Sequence, residues 1–329
     1  MSETTYLAAI TATLGEAMRA DERVLVLGED VAEGGPWGAT AGLAEEFGAE
    51  RVIDTPISEA AIAGVAVGAA QSGLRPVLEI MFVDFVALAL DQLVNQAAKA
   101  HFMSGGQLRV PLVLRTQGGA GQRGAAQHSQ SLEAWLTHIP GLKVAMPSNA
   151  ADVAGLLASA IADPNPVVVV ENKTLYFRRE PAAARRETVP LGRARVARAG
   201  RDVTVVALSR LVPEALAAAD ELAGSGIEIE VIDPRTLVPL DLDTIVESVS
   251  RTHRLVVAHE AVLHGGFGAE VAAQVQAAAF DDLDAPVARV GAPFAPVPFS
   301  PPLEDAYLPG RADIVSAVRA FVARSSTGR

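Results

Sequence analysis

Short continuous apolar runs, spaced by helix-length stretches, recur down this chain and limit the folds open to it. Val24-Leu-Val-Leu27, Val52-Ile53, Pro76–Met81, Pro111–Arg115, Leu142–Met146 and Val167–Val170 read as strands buried on both faces. Helical patterns separate them: Leu7, Ile10, Leu14 and Ala17-Met18, then Leu43–Phe47, the segment after Ser58, Asp84 to about His101, Ser131–His138 and Ala151–Ala162. This alternation predicts a doubly wound, mostly parallel α/β sheet with ligands at the carboxyl ends of its strands. From Asn172 to about Gly200 the pattern lapses, as expected of a connecting segment. It resumes with strands at Val203–Leu208, Ile227–Ile232, Leu255–Ala258 and Val287–Val290 and helices near Pro213–Leu222, Leu242–Val249 and Ala269–Ala279, predicting a smaller α/β C-terminal domain. The proline-rich run Ala292–Pro302 is expected to be extended, ahead of a last helix near Ile314–Val322. The domains so expected are 1–180 and 201–329, with a linker at 181–200. A chain of 329 residues that is 50% hydrophobic has core enough for both.

Charge and composition narrow the chemistry. Acidic residues number 39 against 27 basic ones, a net charge of −12, and no long basic run is present to neutralise phosphates, so nucleic acid is not an expected partner. The chain has no cysteine, which removes thiol nucleophiles, disulfides and thiolate metal sites. His264-Gly-Gly-Phe267 has the look of an esterase oxyanion loop, but no Gly-x-Ser-x-Gly elbow supplies a nucleophile, and no His-Glu-x-x-His segment supplies zinc ligands. The N-terminus lacks a basic leader and the apolar stretch Ala60–Ala70 is too short to span a bilayer. A cytoplasmic protein with no membrane association is expected.

Asp54-Thr-Pro-Ile-Ser-Glu59 holds the most informative carboxylate. Pro56 keeps Thr55 out of helical geometry and ends the strand, Ser58 can cap a helix, and Glu59 then falls in the first turn, where backbone N–H groups favour a carboxylate. The small-residue helix behind it, with Gly64 and Gly68 four apart, reads as buried, so desolvation can push the Glu59 pKa up and suit it to a proton relay. Glu59 decorating a helix end is the plainer alternative. Gly119-Ala-Gly-Gln-Arg-Gly124 matches a dinucleotide-binding fingerprint, yet no helix starts at the motif and no acidic residue ends the next strand; its glycines fit close backbone approach instead. His128, at the end of this loop between amides and hydroxyls, is a candidate functional residue or a surface histidine bonded to backbone. Phe85 reads as core unless a flat ligand lies beside it.

Together, Gly28-Glu-Asp-Val31, Asp54–Glu59, Met81-Phe-Val-Asp-Phe85, Asp91–Lys99, Ala126-Gln-His-Ser-Gln130, Pro140–Val144, Val231–Thr236, His259-Glu-Ala261, Gly265-Gly-Phe267 and Leu303–Tyr307 occur in the order of one family. The chain resembles, over nearly its whole length, the beta subunit of the thiamine-diphosphate-dependent 2-oxo acid dehydrogenases. The resemblance implies a transketolase-like pyrimidine-binding domain followed by a C-terminal domain for assembly and docking to a lipoyl acyltransferase core. Glu59 would bond the pyrimidine ring nitrogen and start the proton relay, Phe85 would stack on the pyrimidine, Ile57 and Met81 would line its pocket, and Glu29 would reach the cofactor region. His128 would orient substrate or move a proton during acyl transfer. A potassium ion would be held at Leu112, Ala160, Ile161, Asp163 and Asn165. Neither Gly-Asp-Gly nor Asn-Asn, the family's diphosphate and Mg²⁺ signature, is present, so an alpha subunit would supply that half of the site in a tetramer of two alpha and two beta chains. Acetoin cleavage by the same machinery, or a non-catalytic module that docks the acyltransferase, are the competing expectations.

Overall fold

The computed structural model describes residues 3–182 and 187–327, so residues 183–186 of the expected linker lie outside the described residues. The chain divides into two compact units. The first comprises residues up to Gly118, Trp135–Leu191 and Leu237–Pro239. Its sheet runs Lys143–Ala145, Val167–Asn172, Val113–Gly118, Arg75–Ile80, Val24–Gly28, Val52–Asp54, every pairing parallel. A further short strand containing Leu237 and Val238 lies at the Lys143–Ala145 edge. Val24–Gly28, Val113–Gly118 and Val167–Asn172 are buried along their whole length, their Val and Leu residues interrupted in the last two by buried polar ones. Helices Tyr6–Ala20 and Ala150–Ala162 pack on one face through Ile10, Leu14, Met18, Val153 and Leu157. From Val24–Gly28 the chain steps to Val52–Asp54 on one side and then returns to Arg75–Ile80 on the other. The crevice at the carboxyl ends of Val24–Gly28 and Arg75–Ile80 is therefore the topological switch point.

Three local expectations change. Ser58 does occupy the N-cap of the helix Glu59–Gln71, but its hydroxyl makes no capping bond. That helix is half-buried, not buried: Ile62, Ala63, Ala66, Val67 and Ala70 face the core, whereas Val65 and Gly68 are exposed. The helix expected over Asp84–His101 is a 3₁₀ turn at Val83–Phe85, an α-helix at Val86–Asp91, a π-helical segment at Gln92–Ala97 and an α-helix at Ala98–Met103. A π segment widens the helix locally, a distortion that periodicity does not encode.

The second unit comprises Gly119–Ala134, Gly192–Thr236 and Leu240 onward. Its five-stranded sheet runs Ala288–Ala292, Leu255–Val262, Val203–Ala207, Ile229–Asp233, Arg195–Arg198, parallel but for the last pairing. Leu211, Val212, Ala215, Ala219 and Leu222 of one helix and Ile314, Val315, Val318 and Phe321 of the last helix, Arg311–Thr327, bury its core. The proline-rich run is not extended throughout: Pro301 and Pro302 open the helix Pro301–Tyr307, where proline's missing N–H would be unsatisfied in any case. Among the described residues, no helix is long and apolar enough to cross a membrane.

Candidate functional site

At the switch point the structure gathers four of the expected residues. Glu29 follows the strand Val24–Gly28, Glu59 opens the helix after Val52–Asp54, and Met81 and Phe85 follow Arg75–Ile80. Glu59 is only 7% exposed. The Glu29 carboxyl is pushed up, first by its own burial and then by the nearby Glu59 charge, while a bond from the Ser58 N–H opposes the shift. Oε1 of Glu29 and the hydroxyl of Thr55 are buried without a hydrogen-bond partner. Buried polar atoms left unmatched beside a buried carboxylate can serve a polar ligand. Met81 and Phe85 are half-buried, and the Phe85 ring packs edge-on against Phe82 with centroids 5.6 Å apart. Ile57, expected to line the same pocket, is 83% exposed. Pro56 and the turn hold its backbone outside the sheet, so only another surface could cover it.

Beneath this edge lies a charged cluster. Glu79 and Arg115 are register partners on adjacent strands, and Arg115 Nη1 donates to Glu79 Oε2 at 2.6 Å. The same guanidinium donates to both oxygens of Glu171 at 2.7 and 2.8 Å, and the Tyr176 hydroxyl donates to Glu171 Oε2 at 2.6 Å. Burial alone would lower the Arg115 pKa, but the charges of Glu171 and Glu79 outweigh it and keep the group protonated. Burial pushes the Glu79 carboxyl up, and Arg115 opposes it. Lys173, 2% exposed, sets its ammonium 5.1 Å from the Phe82 ring centroid, the ring that in turn abuts Phe85. These residues escape the sequence reading, although a charged residue inside an otherwise apolar strand is a usable signal.

Residues 2–178 match the transketolase pyrimidine-binding domain and residues 192–314 the transketolase C-terminal domain. A pyruvate dehydrogenase E1 component subunit beta of Rhizobium meliloti is 47% identical, over 97% of this chain and 70% of its own. The beta subunit of an acetoin:2,6-dichlorophenolindophenol oxidoreductase of Bacillus subtilis is 49% identical over 94% of each chain. The chain belongs to the transketolase-like E1 beta-subunit family. A solved relative of the same fold, a split-gene transketolase described as an inactive beta4 tetramer, aligns at a TM-score of 0.78 with 26% identity, covering 96% of this chain and 97% of that one.

In this beta subunit four of the residues expected to hold potassium, Ala160, Ile161, Asp163 and Asn165, lie in or just after the last turn of the helix Ala150–Ala162, and Leu112 precedes the strand Val113–Gly118. The Leu112 carbonyl accepts from the Val167 N–H at 2.9 Å and the Ala160 carbonyl from the Asp163 N–H at 3.2 Å. Ile161 O accepts from Arg75 Nη1 at 2.7 Å, Asp163 pairs with Lys143, and the Asn165 N–H donates to Asp163 Oδ1 at 2.9 Å. Each carbonyl keeps a second lone pair, and a helix C-terminus is negative. Two of the five positions, Ile161 and Asp163, already face the cationic side chains of Arg75 and Lys143. Among the described residues, no group of three or more His, Asp or Glu side chains could hold a metal ion.

His128 belongs to the second unit and is half-buried at the end of the Gly119–Gly124 loop. The loop's N–H groups make no phosphate cradle: the Ala120 N–H donates to Glu260, and those of Gly121 and Arg123 donate to Glu304. The Gly265-Gly-Phe-Gly268 segment likewise has a packing role. A Cβ at Gly266 or Gly268 would fall 2.6 or 2.5 Å from the ring of His259, which is fully buried. Burial holds His259 down at about 4, and its Nδ1–H donates to the Ala261 carbonyl at 3.0 Å.

Glu133, 1% exposed with Oε2 unpartnered, is pushed up to about 7 by burial and, less, by the Glu260 charge. Its ordinary value is 4.5, so between those values the native state holds a proton that the unfolded chain has released. The resulting contribution to stability is complete below pH 4.5 and lost as pH rises through about 7. His259 acts in the opposite sense, its share being lost as pH falls from its ordinary 6.5 through about 4. Glu133→Gln is therefore expected to raise unfolding free energy at pH 8 by about 3 kcal/mol and to change it little at pH 4. Denaturant titrations at both pH values measure this; an equal effect at the two would exclude Glu133 as the source.

Proposed function

We propose that this chain is the catalytic beta subunit of a thiamine-diphosphate-dependent 2-oxo acid dehydrogenase. The observation that carries the reading is the pairing of buried Glu59 with the partly unpartnered carboxyl of Glu29 at the switch point of the sheet. Bound there, thiamine diphosphate supplies the electron sink for decarboxylation of a 2-oxo acid. Glu59, held at a helix N-terminus, accepts and returns a proton at the pyrimidine ring nitrogen. Glu29, close enough to feel the Glu59 charge, offers a hydrogen-bonding carboxyl to the same ring's polar edge. Phe85, braced by Phe82 and through it by Lys173, provides the flat apolar face against which an aromatic ring stacks. Met81 fills the adjoining wall, and Ile57 joins it when the partner subunit covers that surface. His128 acts on the substrate side, orienting it or moving a proton as the acyl group passes to the lipoyl arm of an acyltransferase core. A potassium ion at Leu112, Ala160, Ile161, Asp163 and Asn165 would tie the helix end to the neighbouring strands.

The exposed small-residue face of the Glu59 helix and the exposed Ile57 support assembly with an alpha subunit, which brings the Mg²⁺–diphosphate half of the site. A second reading, acetoin cleavage, is supported by acetoin oxidoreductase beta subunits at 45–49% identity beside pyruvate dehydrogenase relatives at 42–48%. Co-expression with the alpha partner, followed by turnover assays on pyruvate, branched-chain 2-oxo acids and acetoin, tests both readings.

The same reading predicts that the isolated chain binds thiamine diphosphate poorly. A diphosphate needs a divalent cation or a basic cluster to offset its charge, and the loop N–H groups that could have served are already taken by Glu260 and Glu304. Calorimetric titration with cofactor and Mg²⁺ is expected to give saturable heat with the alpha partner and none with this chain alone. Tight, Mg²⁺-dependent binding by the chain alone would sink the shared-site assignment.

A further inference from the structure

The glycine-rich loop that carries His128 is held in a conformation its own sequence disfavours. Besides Gly119 and Gly121, at φ +88° and +95°, two residues with side chains, Arg123 and Ala125, both sit at φ +59°. That is the left-handed region, which L-residues occupy only when their surroundings impose it. The imposing group is Glu304, a carboxylate with 0% exposure on the helix Pro301–Tyr307. Its Oε1 accepts the Gly121 N–H at 2.7 Å, and its Oε2 accepts the Arg123 N–H at 3.2 Å and Arg123 Nη1 at 2.7 Å. The same guanidinium reaches Asp305 at 2.7 Å and the Pro301 carbonyl at 3.1 Å. One residue earlier, the Ala120 N–H donates to Glu260 Oε1 at 2.5 Å, and Arg210 secures Glu260 through Oε2 at 2.6 Å. Successive backbone N–H groups thus form a nest around carboxylates of the chain itself.

The held segment reaches His128 directly. The His128 N–H lies 3.4 Å from the Ala125 carbonyl, and a Cβ at Gly124 would come within 3.0 Å of the His128 carbonyl, so a shift at Arg123–Ala125 is passed on to His128. A cavity of about 360 Å³ lies next to the loop, lined by its residues Ala126, Ser129 and Gln130 together with Glu260, Phe294 and Tyr307. The Ser129 hydroxyl is buried there without a partner. The cavity gives the Ala126–Gln130 end of the loop space to move once its carboxylate contacts are removed.

We propose that Glu304 is a positioning residue, which fixes the 119–128 segment in its strained form and so presents His128 to the substrate. The proposal rests on the substrate-side reading of His128. It gives the second unit a part in catalysis.

The test uses Glu304→Gln in the complex assembled with the alpha partner. Glutamine can still accept the Gly121 N–H, but its amide N–H₂ faces the Arg123 donors and loses them. Turnover number is expected to fall by about 10- to 100-fold, as displacement of a catalytic group by about 1 Å does. KM and cofactor affinity should stay within about twofold, since ground-state binding is untouched. Amide exchange at residues 120–128 is expected to rise about 10-fold or more, with the strand Leu255–Val262 unchanged. Arg123→Ala, altering a surface side chain, removes one arm of the clamp and should act in the same direction with smaller size, which keeps the test usable if Glu304→Gln assembles badly. In a His128→Ala background Glu304→Gln should cause no further loss of turnover. Faster exchange with unchanged turnover, or a full additional loss in that background, overturns the proposal. If His128→Ala itself turns over normally, the substrate-side reading of His128 fails, and the positioning role fails with it; a slow His128→Ala beside a normal Glu304→Gln condemns the positioning role alone.

Discussion

Glu59→Gln is expected to lower turnover of the assembled complex by about 10³-fold, within the range that general acid–base groups contribute. Glutamine nearly matches the shape of glutamate and keeps an acceptor oxygen, but it cannot take up and return a proton. The site should tolerate the exchange structurally. Glu59 stands at the first position of the helix Glu59–Gln71, and losing its charge there removes a favourable helix-dipole contact of about 0.3–1 kcal/mol. Relief of its repulsion with Glu29 offsets part of that loss, since the Glu59 charge helps to push the Glu29 carboxyl up. Steady-state turnover, thermal melting and gel filtration of the variant complex measure the three quantities. A well-assembled variant working within about tenfold of wild type would take Glu59 out of the proton relay.

Arg115→Met is expected to cost the first unit about 3–5 kcal/mol, a large share of any domain's stability, because it leaves Glu79 and Glu171 buried without a counter-charge. Both carboxylates are 2% exposed or less, so water cannot replace the guanidinium. In thermal melts this corresponds to a drop on the order of 10 °C. Changing the whole group at once, Arg115→Met with Glu79→Gln and Glu171→Gln, should recover most of the loss, because a buried charge is costly chiefly when unpaired. A single Arg115→Met variant melting within about 2 °C of wild type would show that the cluster does not hold the middle of the sheet.

Periodicity and residue type already located Val24–Gly28, Arg75–Ile80 and Val167–Asn172 to within two residues, because short apolar runs rich in β-branched residues suit strands buried in a parallel sheet. The short pairings of Glu3–Thr5 with Arg179–Pro181 and of Arg195–Arg198 with Ile229–Asp233 were invisible, since edge strands carry polar residues and owe their form to the neighbour they bond. The helix Pro301–Tyr307 was hidden for a related reason: proline suggests extension unless it opens a helix, and only packing tells the two apart.

Glu59 could be singled out in the linear chain because its setting is local: a proline-ended strand, a helix start and a carboxylate within six residues. The same holds for the glycine-rich loop as a place of close backbone approach. Which groups approach it was not local. Glu260 and Glu304 lie some 140 and 180 residues from the N–H groups they accept, and Glu79, Arg115 and Glu171 come from three separate strands. Spacing along the chain identified the doubly wound α/β plan and the carboxylate that opens the helix after Val52–Asp54, both of which follow from short-range sterics and periodic burial. The partners of each buried charge were decided by the register of distant strands and the docking of one short helix, because a charge withdrawn from water is stabilised by whatever lies within a few ångströms of it, regardless of separation along the chain.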